Sequence, residues 1–325
     1  MSKKFDNFPK LKEAKASIER LQKANWPKSA DFKNGDTFLK EVEEIIFKEF
    51  EILPNIFKLF KPSDFILPIF RVREVNSFTN INQFSEHSYP PINLTGFNRC
   101  NFPNSPVFYC SDNPMTALME VVRNTDYKQR KFCISKWELI DSDNQFAFQT
   151  FLQTELHQDN NYRVLKDSEI EHLNQPFENK LDKDRKAGLE EYMKFLHSAF
   201  ISDKSYALSA SIAHRTLNAK HNFATDILMY PSIQTQYKGV NMAITPNFVD
   251  NMMRVQRFYI VELENYNMET GKFNITISKY GNIEKNIIFW KNLNPEDETY
   301  KKHFLSDFKS LMDDNYEWNF NQIKK

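Results

Sequence analysis

Residues 105–123, SPVFYCSDNPMTALMEVVR, read as strand, tight turn and helix. Val107, Phe108 and Tyr109 form a short apolar, β-prone run, and Ser111-Asp112-Asn113-Pro114 breaks it. Met115, Leu118, Met119 and Val122 then recur at helical spacing. Asn113 stands where a helix N-cap belongs. Pro114 takes the first helical position, where a missing N–H costs nothing. Tyr109 thus ends a strand and Glu120 lies two turns into a helix. Ala117, Leu118, Met119, Val121 and Val122 surround that acid with apolar side chains. A carboxylate in this setting is either half buried for a purpose or turned outward from an amphipathic helix.

Outward from this stretch, residues 10–25 carry Leu11, Ile18 and Leu21 on one helical side. In residues 36–50, Phe38, Leu39, Val42, Ile45, Ile46 and Phe50 repeat at three and four. Both predict helices that prop the main domain, with a partner-binding helix pair as the alternative. Residues 67–73 predict a strand in which apolar neighbours flank Arg71. An irregular stretch from 76 to 104 contains Gly96-Phe97-Asn98-Arg99-Cys100-Asn101. With six glycines in the chain, Gly96 is expected to mark a demanding backbone shape. A strand over 132–139 follows. Residues 141–186 turn polar and read as an insertion with local helix, too poor in apolar residues for a core of its own.

Two helices, 189–200 and 206–217, lead to a short strand at Ile227 that Pro231 stops. Strands are expected over 240–244, 258–263, 273–278 and 283–290, the last two joined by a turn at Lys279-Tyr280-Gly281-Asn282. A short helix at 247–253 and a closing one over 301–316 complete the pattern. The class is α+β, with a mixed, mostly antiparallel sheet, flanking helices and an added N-terminal helical segment.

Composition limits the function. Lys plus Arg equals Asp plus Glu at 43 each among 325 residues. Bulk charge therefore draws the chain neither to nucleic acid nor to an anionic membrane, and no nucleic-acid partner is expected. The 41% hydrophobic share and 30 Phe can build a sizeable core. Cys100, Cys110 and Cys133 fit neither a paired disulfide framework nor a CxxC metal site. No apolar run has the length of a signal core or a membrane span, so a soluble cytoplasmic protein is expected. His197, His214 and His221 are spaced by 17 and 7, which matches no metal motif on a helix, and no metal is expected.

An ordered set of residues resembles the RES domain family, named for an arginine, a glutamate and a serine. It comprises Arg71 on a strand, Arg99-x-Asn101 after a glycine loop, Tyr109 with Glu120 eleven residues on, and Tyr230-Pro231-Ser232 before Gly239-Val240-Asn241. The resemblance covers about residues 67–258; Asn98 stands where the family often has glycine. It implies a fold similar to ADP-ribosyltransferase toxins and the cleavage of NAD, taken as substrate, at its nicotinamide–ribose bond. Glycohydrolase, phosphorylase and ADP-ribosyltransferase share that first step. A toxin restrained by a small antitoxin protein is the implied role, and a non-catalytic dinucleotide-binding or protein-interaction module is the alternative. The division that follows is a helical segment 1–60, a RES-like catalytic core 61–265 holding the insertion 141–186, and C-terminal strands and helix 266–325 packed on the core.

On this reading Glu120 stabilises the oxocarbenium-like ribose, Arg71 binds the pyrophosphate, and Tyr109 offers a ring to nicotinamide and a hydroxyl to ribose. Ser232 bonds the ribose or holds Glu120. Each has a plainer alternative: Glu120 as a solvent-facing helix acid, Arg71 paired with Glu74 or another acid, Tyr109 as core, Ser232 as a turn residue. Arg73 rivals Arg71, because strand alternation puts both on one face. Arg99 and Asn101 either shape their loop or touch the dinucleotide.

Overall fold

The helical and alternating patterns become a mixed α+β architecture. The computed structural model describes residues 8–32, 34–64, 67–123, 125–174, 181–219, 224–267, 269–293 and 297–308. In chain order the elements are α1 (Leu11–Gln22), α2 (Gly35–Glu49), β1 (Lys58–Phe60), β2 (Ile69–Glu74), β3 (Phe108–Ser111), α3 (Pro114–Val122), β4 (Lys131–Leu139) and β5 (Phe146–Thr150). Then come α4 (Arg163–Asn174), α5 (Lys183–Ser202), α6 (Ala207–Leu217), β6 (Ile227–Pro231), β7 (Val240–Ile244), α7 (Pro246–Met252), β8 (Met253–Tyr266), β9 (Phe273–Glu284), β10 (Ile287–Asn292) and α8 (Glu298–Phe308). Single 3₁₀ turns at Val75–Ser77, Phe84–His87 and Ile92–Leu94 punctuate the irregular stretch.

The chain divides into two compact units, one made of residues up to Leu59 with Pro91–Val107 and Phe146–Pro231. In it α1 buries Ala14, Ile18 and Leu21, and α2 buries Phe38, Val42 and Ile46, so the apolar faces of both helices are spent on packing. Gly188 lets α5 come against the backbone at Pro9 and Lys10, which a Cβ would strike. Tyr192 of α5 stacks on Phe50 with ring centroids 3.8 Å apart and donates its hydroxyl to the Ile52 carbonyl. Strands β5 and β6 pair in parallel, Phe148 opposite Ile227.

Strand β5 corrects the reading of 141–186 as an insertion with local helix alone: Phe146–Thr150 is a strand with every residue buried. Alternation gave no sign of it, because a strand covered on both faces loses its period of two. Of its polar members, Thr150 bonds the Glu169 carboxylate, while Gln149 buries its Oε1 without a partner among the described residues. Part of the polar run, residues 175–180, lies outside the described residues, as do His221 and the continuation of the closing helix past Phe308.

The other unit comprises Phe60–Pro90, Phe108–Gln145 and the chain from Ser232 on. Its strands run in the order β7-β3-β2-β4-β8-β9-β10, every pairing antiparallel. On one face α3 contributes Met115, Ala117, Leu118, Met119 and Val122 to a core with Phe70, Val72, Phe132, Ile134, Tyr259 and Val261. Helix α8 closes the same core with Tyr300, Phe304 and Phe308. A second cluster of Cys133, Phe258, Ile260 and Ile288 is packed by Val75, Phe78, Ile81 and Phe84.

The β9–β10 turn is displaced from its expected place at 279–282. Those residues are paired strand, and the chain reverses at Lys285-Asn286, with φ of 47° and 71°. Two successive left-handed residues make the tight turn that suits a twisted hairpin. Gly281 is instead a partner of Trp290, whose ring lies 2.9 Å from where a Cβ would stand. That glycine makes room for an aromatic ring and does not turn the chain. Gly96 is likewise not demanding: a Cβ there meets open space, and its φ is not left-handed.

Candidate functional site

Strand β3 and helix α3 meet as the sequence expects. The Asn113 side chain accepts from the Thr116 N–H at 2.7 Å and Pro114 opens the helix. With the other apolar positions of α3 turned into the core, Glu120 is left half-buried. Gly239 brings the start of β7 against the first turn of α3, where a Cβ would collide with Thr116. Asp112 links β3 to β7 twice: its N–H donates to the Val240 carbonyl at 3.2 Å, and its carboxylate accepts the Val240 N–H at 3.1 Å. Burial raises Asp112 to about 7, against the pull of the N–H groups and the Asn113 amide that it accepts from.

These contacts set the surroundings of Glu120. Its Oε1 accepts from the Ser232 hydroxyl at 2.6 Å and from the Asn241 amide Nδ2 at 2.6 Å. Asn241 in turn accepts the Ser111 hydroxyl on Oδ1 at 2.8 Å; the two are direct cross-strand partners of β3 and β7. Ser232 is fully buried, and a loop closed on itself holds it. Its N–H donates to Gly239 at 3.0 Å and its carbonyl accepts from Tyr237 at 2.8 Å, while Gln236 and Tyr237 turn the chain with φ of 51° and 64°. Among the described residues, no arginine or lysine pairs with Glu120 and Oε2 has no hydrogen-bond partner. Glu120 is therefore a carboxylate gripped through one oxygen by neutral donors, with its charge uncompensated.

Arg71 is the matching uncompensated cation. Its Nη1 donates to the Tyr109 carbonyl at 2.8 Å, its guanidinium carbon lies 5.1 Å from the Phe108 ring centroid, and its Nε is buried without a partner among the described residues. The ladder between β2 and β3 is a single residue pair, Phe70 with Ser111, so Arg71 reaches a strand that its own strand barely pairs. Burial, with the like charge of Arg73, pulls Arg71 down to about 10. Glu74, the acid that could have paired with it, is held by Arg130 at 3.0 and 2.7 Å. No ion pair joins Arg71 to Glu120. Tyr109 is half-buried on β3 opposite Ala243.

The remaining candidates are committed elsewhere. Arg73 donates to the carbonyls of Glu86 and Ser77 and stacks 4.2 Å over Phe78, fastening the segment after β2. Arg99 and Asn101 belong to the first unit. There Arg99 donates to the Phe200 carbonyl, and Asn101 to the carbonyls of Gly96 at 2.6 Å and Phe102 at 3.2 Å. His197 is buried and accepts the Gln153 N–H at 3.0 Å, and burial holds it down at about 3. Burial raises the thiols of Cys110 and Cys133, which keeps both protonated and unreactive at neutral pH. Among the described residues no group of three or more His, Cys, Asp or Glu could hold a metal, and no helix is long and apolar enough to cross a membrane.

Sequence reasoning assigned no role to Asn241 or Ser111. The signal was present in Val240-Asn241-Met242-Ala243-Ile244, where one amide interrupts an otherwise apolar strand with every position buried. A buried amide needs partners, and these are a serine and a carboxylate.

An antiparallel α+β core with a half-buried glutamate, a buried serine and an unpaired arginine on separate elements defines a class of site built around free charges. The model of the RES domain matches residues 68–262, more than half of the chain, and the chain belongs to that family. No curated protein matches it.

Proposed function

We propose that the protein consumes NAD by cleaving the bond between nicotinamide and ribose. The observation that carries this reading is Glu120, whose carboxylate is held by two neutral donors and neutralised by no cation. Loss of nicotinamide leaves positive charge on the ribose ring, and a fixed carboxylate stabilises that charge without reorganising. Ser232, donating to Glu120, holds the acid in place. Oε2 is the oxygen left to face the sugar. Arg71 receives the pyrophosphate, since its remaining N–H groups form a permanently charged fork for phosphate oxygens. A dinucleotide separates its ribose from its pyrophosphate, so the two charges serve different ends of one substrate and must not pair with each other. Tyr109 offers its ring to nicotinamide.

The two carbonyl bonds of Arg73 favour Arg71 over it in the binding role, and the carbonyl bonds of Arg99 and Asn101 support a loop-shaping role for both. The acceptor is water, phosphate or a macromolecule, giving a glycohydrolase, a phosphorylase or an ADP-ribosyltransferase. The family resemblance supports a cytoplasmic toxin restrained by a small antitoxin protein. The test is NAD loss by the purified chain, with and without phosphate, beside a Glu120→Gln variant. NAD loss by the native protein alone supports the reading, and its phosphate dependence separates hydrolysis from phosphorolysis. Equal loss in both proteins removes Glu120 from the chemistry. Growth arrest and a fall in cellular NAD on expression are expected; unaffected growth argues against a toxin.

A further inference from the structure

We infer that Ser111 is a positioning residue that fixes the Glu120 carboxylate through Asn241, an inference that rests on the catalytic role given to Glu120 above. An ionised carboxylate only accepts hydrogen bonds, so whatever meets Oε1 must donate. This fixes the polarity of the chain: Asn241 must turn its NH₂ toward Glu120, which leaves Oδ1 facing Ser111. Ser111 must then donate, as it does at 2.8 Å. Ser111 and Asn241 are both buried, as is the contact between them, so no solvent competes for the amide oxygen. A reversed amide would set an acceptor against an acceptor at Oε1. Ser111 therefore does not touch the substrate, but it decides which end of the Asn241 amide does its work.

The register makes the device specific. Ser111 and Asn241 are directly opposed on β3 and β7, with side chains on one face of the pair. With alanine at 111, the amide oxygen is buried without a donor, and the preference for the correct orientation is lost. Glu120 then spends part of its time without its second donor or against an opposing dipole, and its carboxylate is less firmly fixed.

Two readouts on the full chain test this. In the first, the Asn241 side-chain amide is observed directly by ¹⁵N NMR without substrate, in native protein and in Ser111→Ala and Ser111→Thr. The expected result is an Asn241 side-chain NH₂ signal displaced and broadened in Ser111→Ala and restored in Ser111→Thr, which keeps the donor. In the second, NAD turnover is measured in the same three proteins. In Ser111→Ala kcat is expected to fall about tenfold with KM within twofold, and in Ser111→Thr to return toward the native value. Superimposable Asn241 amide signals, or an equal kcat, for native and Ser111→Ala overturn the inference. If a misfolded Ser111→Ala obscures the comparison, Ser111→Cys replaces it: its thiol is a weak donor of similar size, kcat is expected to fall severalfold, and an unmoved kcat overturns the inference. A displaced Asn241 amide in a protein that leaves NAD intact sinks the proposed activity and leaves the positioning chain standing.

Discussion

Helices α3 and α8 pack on one core, and each places a carboxylate among the strands. Asp307 of α8 is closed off. Arg257 grips it at 2.7 and 2.9 Å, the Tyr259 hydroxyl donates at 2.7 Å, and burial removes the group from water. Glu120 of α3 receives two neutral donors on one oxygen, and no cation pairs with it among the described residues. A buried carboxylate whose charge is cancelled fastens a helix. One whose charge is held in position and left uncancelled is available to a substrate that develops the opposite charge. Burial separates them in degree, Asp307 being buried and Glu120 half-buried; the identity of the donors separates them in kind.

Removing each acid should therefore damage a different property. The largest effect is expected from Asp307→Ala, which leaves the mostly buried Arg257 unpaired and should cost about 3–5 kcal/mol in denaturant unfolding. Comparable stability to the native protein would show that the ion pair is not what holds α8. Next is Glu120→Gln, which keeps shape and acceptor oxygen but loses the charge. NAD turnover should fall on the order of 10²-fold, equivalent to about 2.7 kcal/mol of barrier, with the unfolding midpoint little changed. A stability loss without a rate loss would put Glu120 in the class of Asp307.

A smaller effect is expected where two arginines of β2 differ in the same way. Arg71→Lys exchanges a fork for a point charge and should raise KM for NAD about tenfold. Arg73→Lys should act on thermal stability, because it loosens carbonyl bonds to Glu86 and Ser77. An identical KM for both variants would remove the distinction between them.

The smallest effect concerns pH. Asp112 titrates at about 7 when folded, against an ordinary value of 3.8. Between those values the folded protein keeps a proton that the unfolded chain has released, so this group lowers stability as pH rises through the window, and its penalty is full above 7. Asp112→Asn still offers an oxygen to the Val240 N–H. It should therefore gain on the native protein between pH 5 and pH 8 in parallel urea titrations, and an equal difference at both pH values would refute the assignment.

The segment around Glu120 was legible because its signals are local. A polar N-cap, a proline at the first helical position and apolar residues at three and four act within a few residues, and the helix formed where they placed it. The hairpin was misplaced because Gly281 answers to Trp290 across the strand, a relation that nearby spacing does not contain. Strand β5 was missed because burial on both faces erases alternation.

By itself, the chain's order of residues determined the α+β class, the strand–turn–helix bearing Glu120 and the family to which the protein belongs. The tertiary structure alone decided which charges are cancelled. Arg130 takes Glu74 from Arg71 across 56 residues, and Ser232 and Asn241 reach Glu120 across 112 and 121. Periodicity reports which face of an element is apolar. A charge's partner is set by where distant strands bring their side chains, and only the folded chain fixes that.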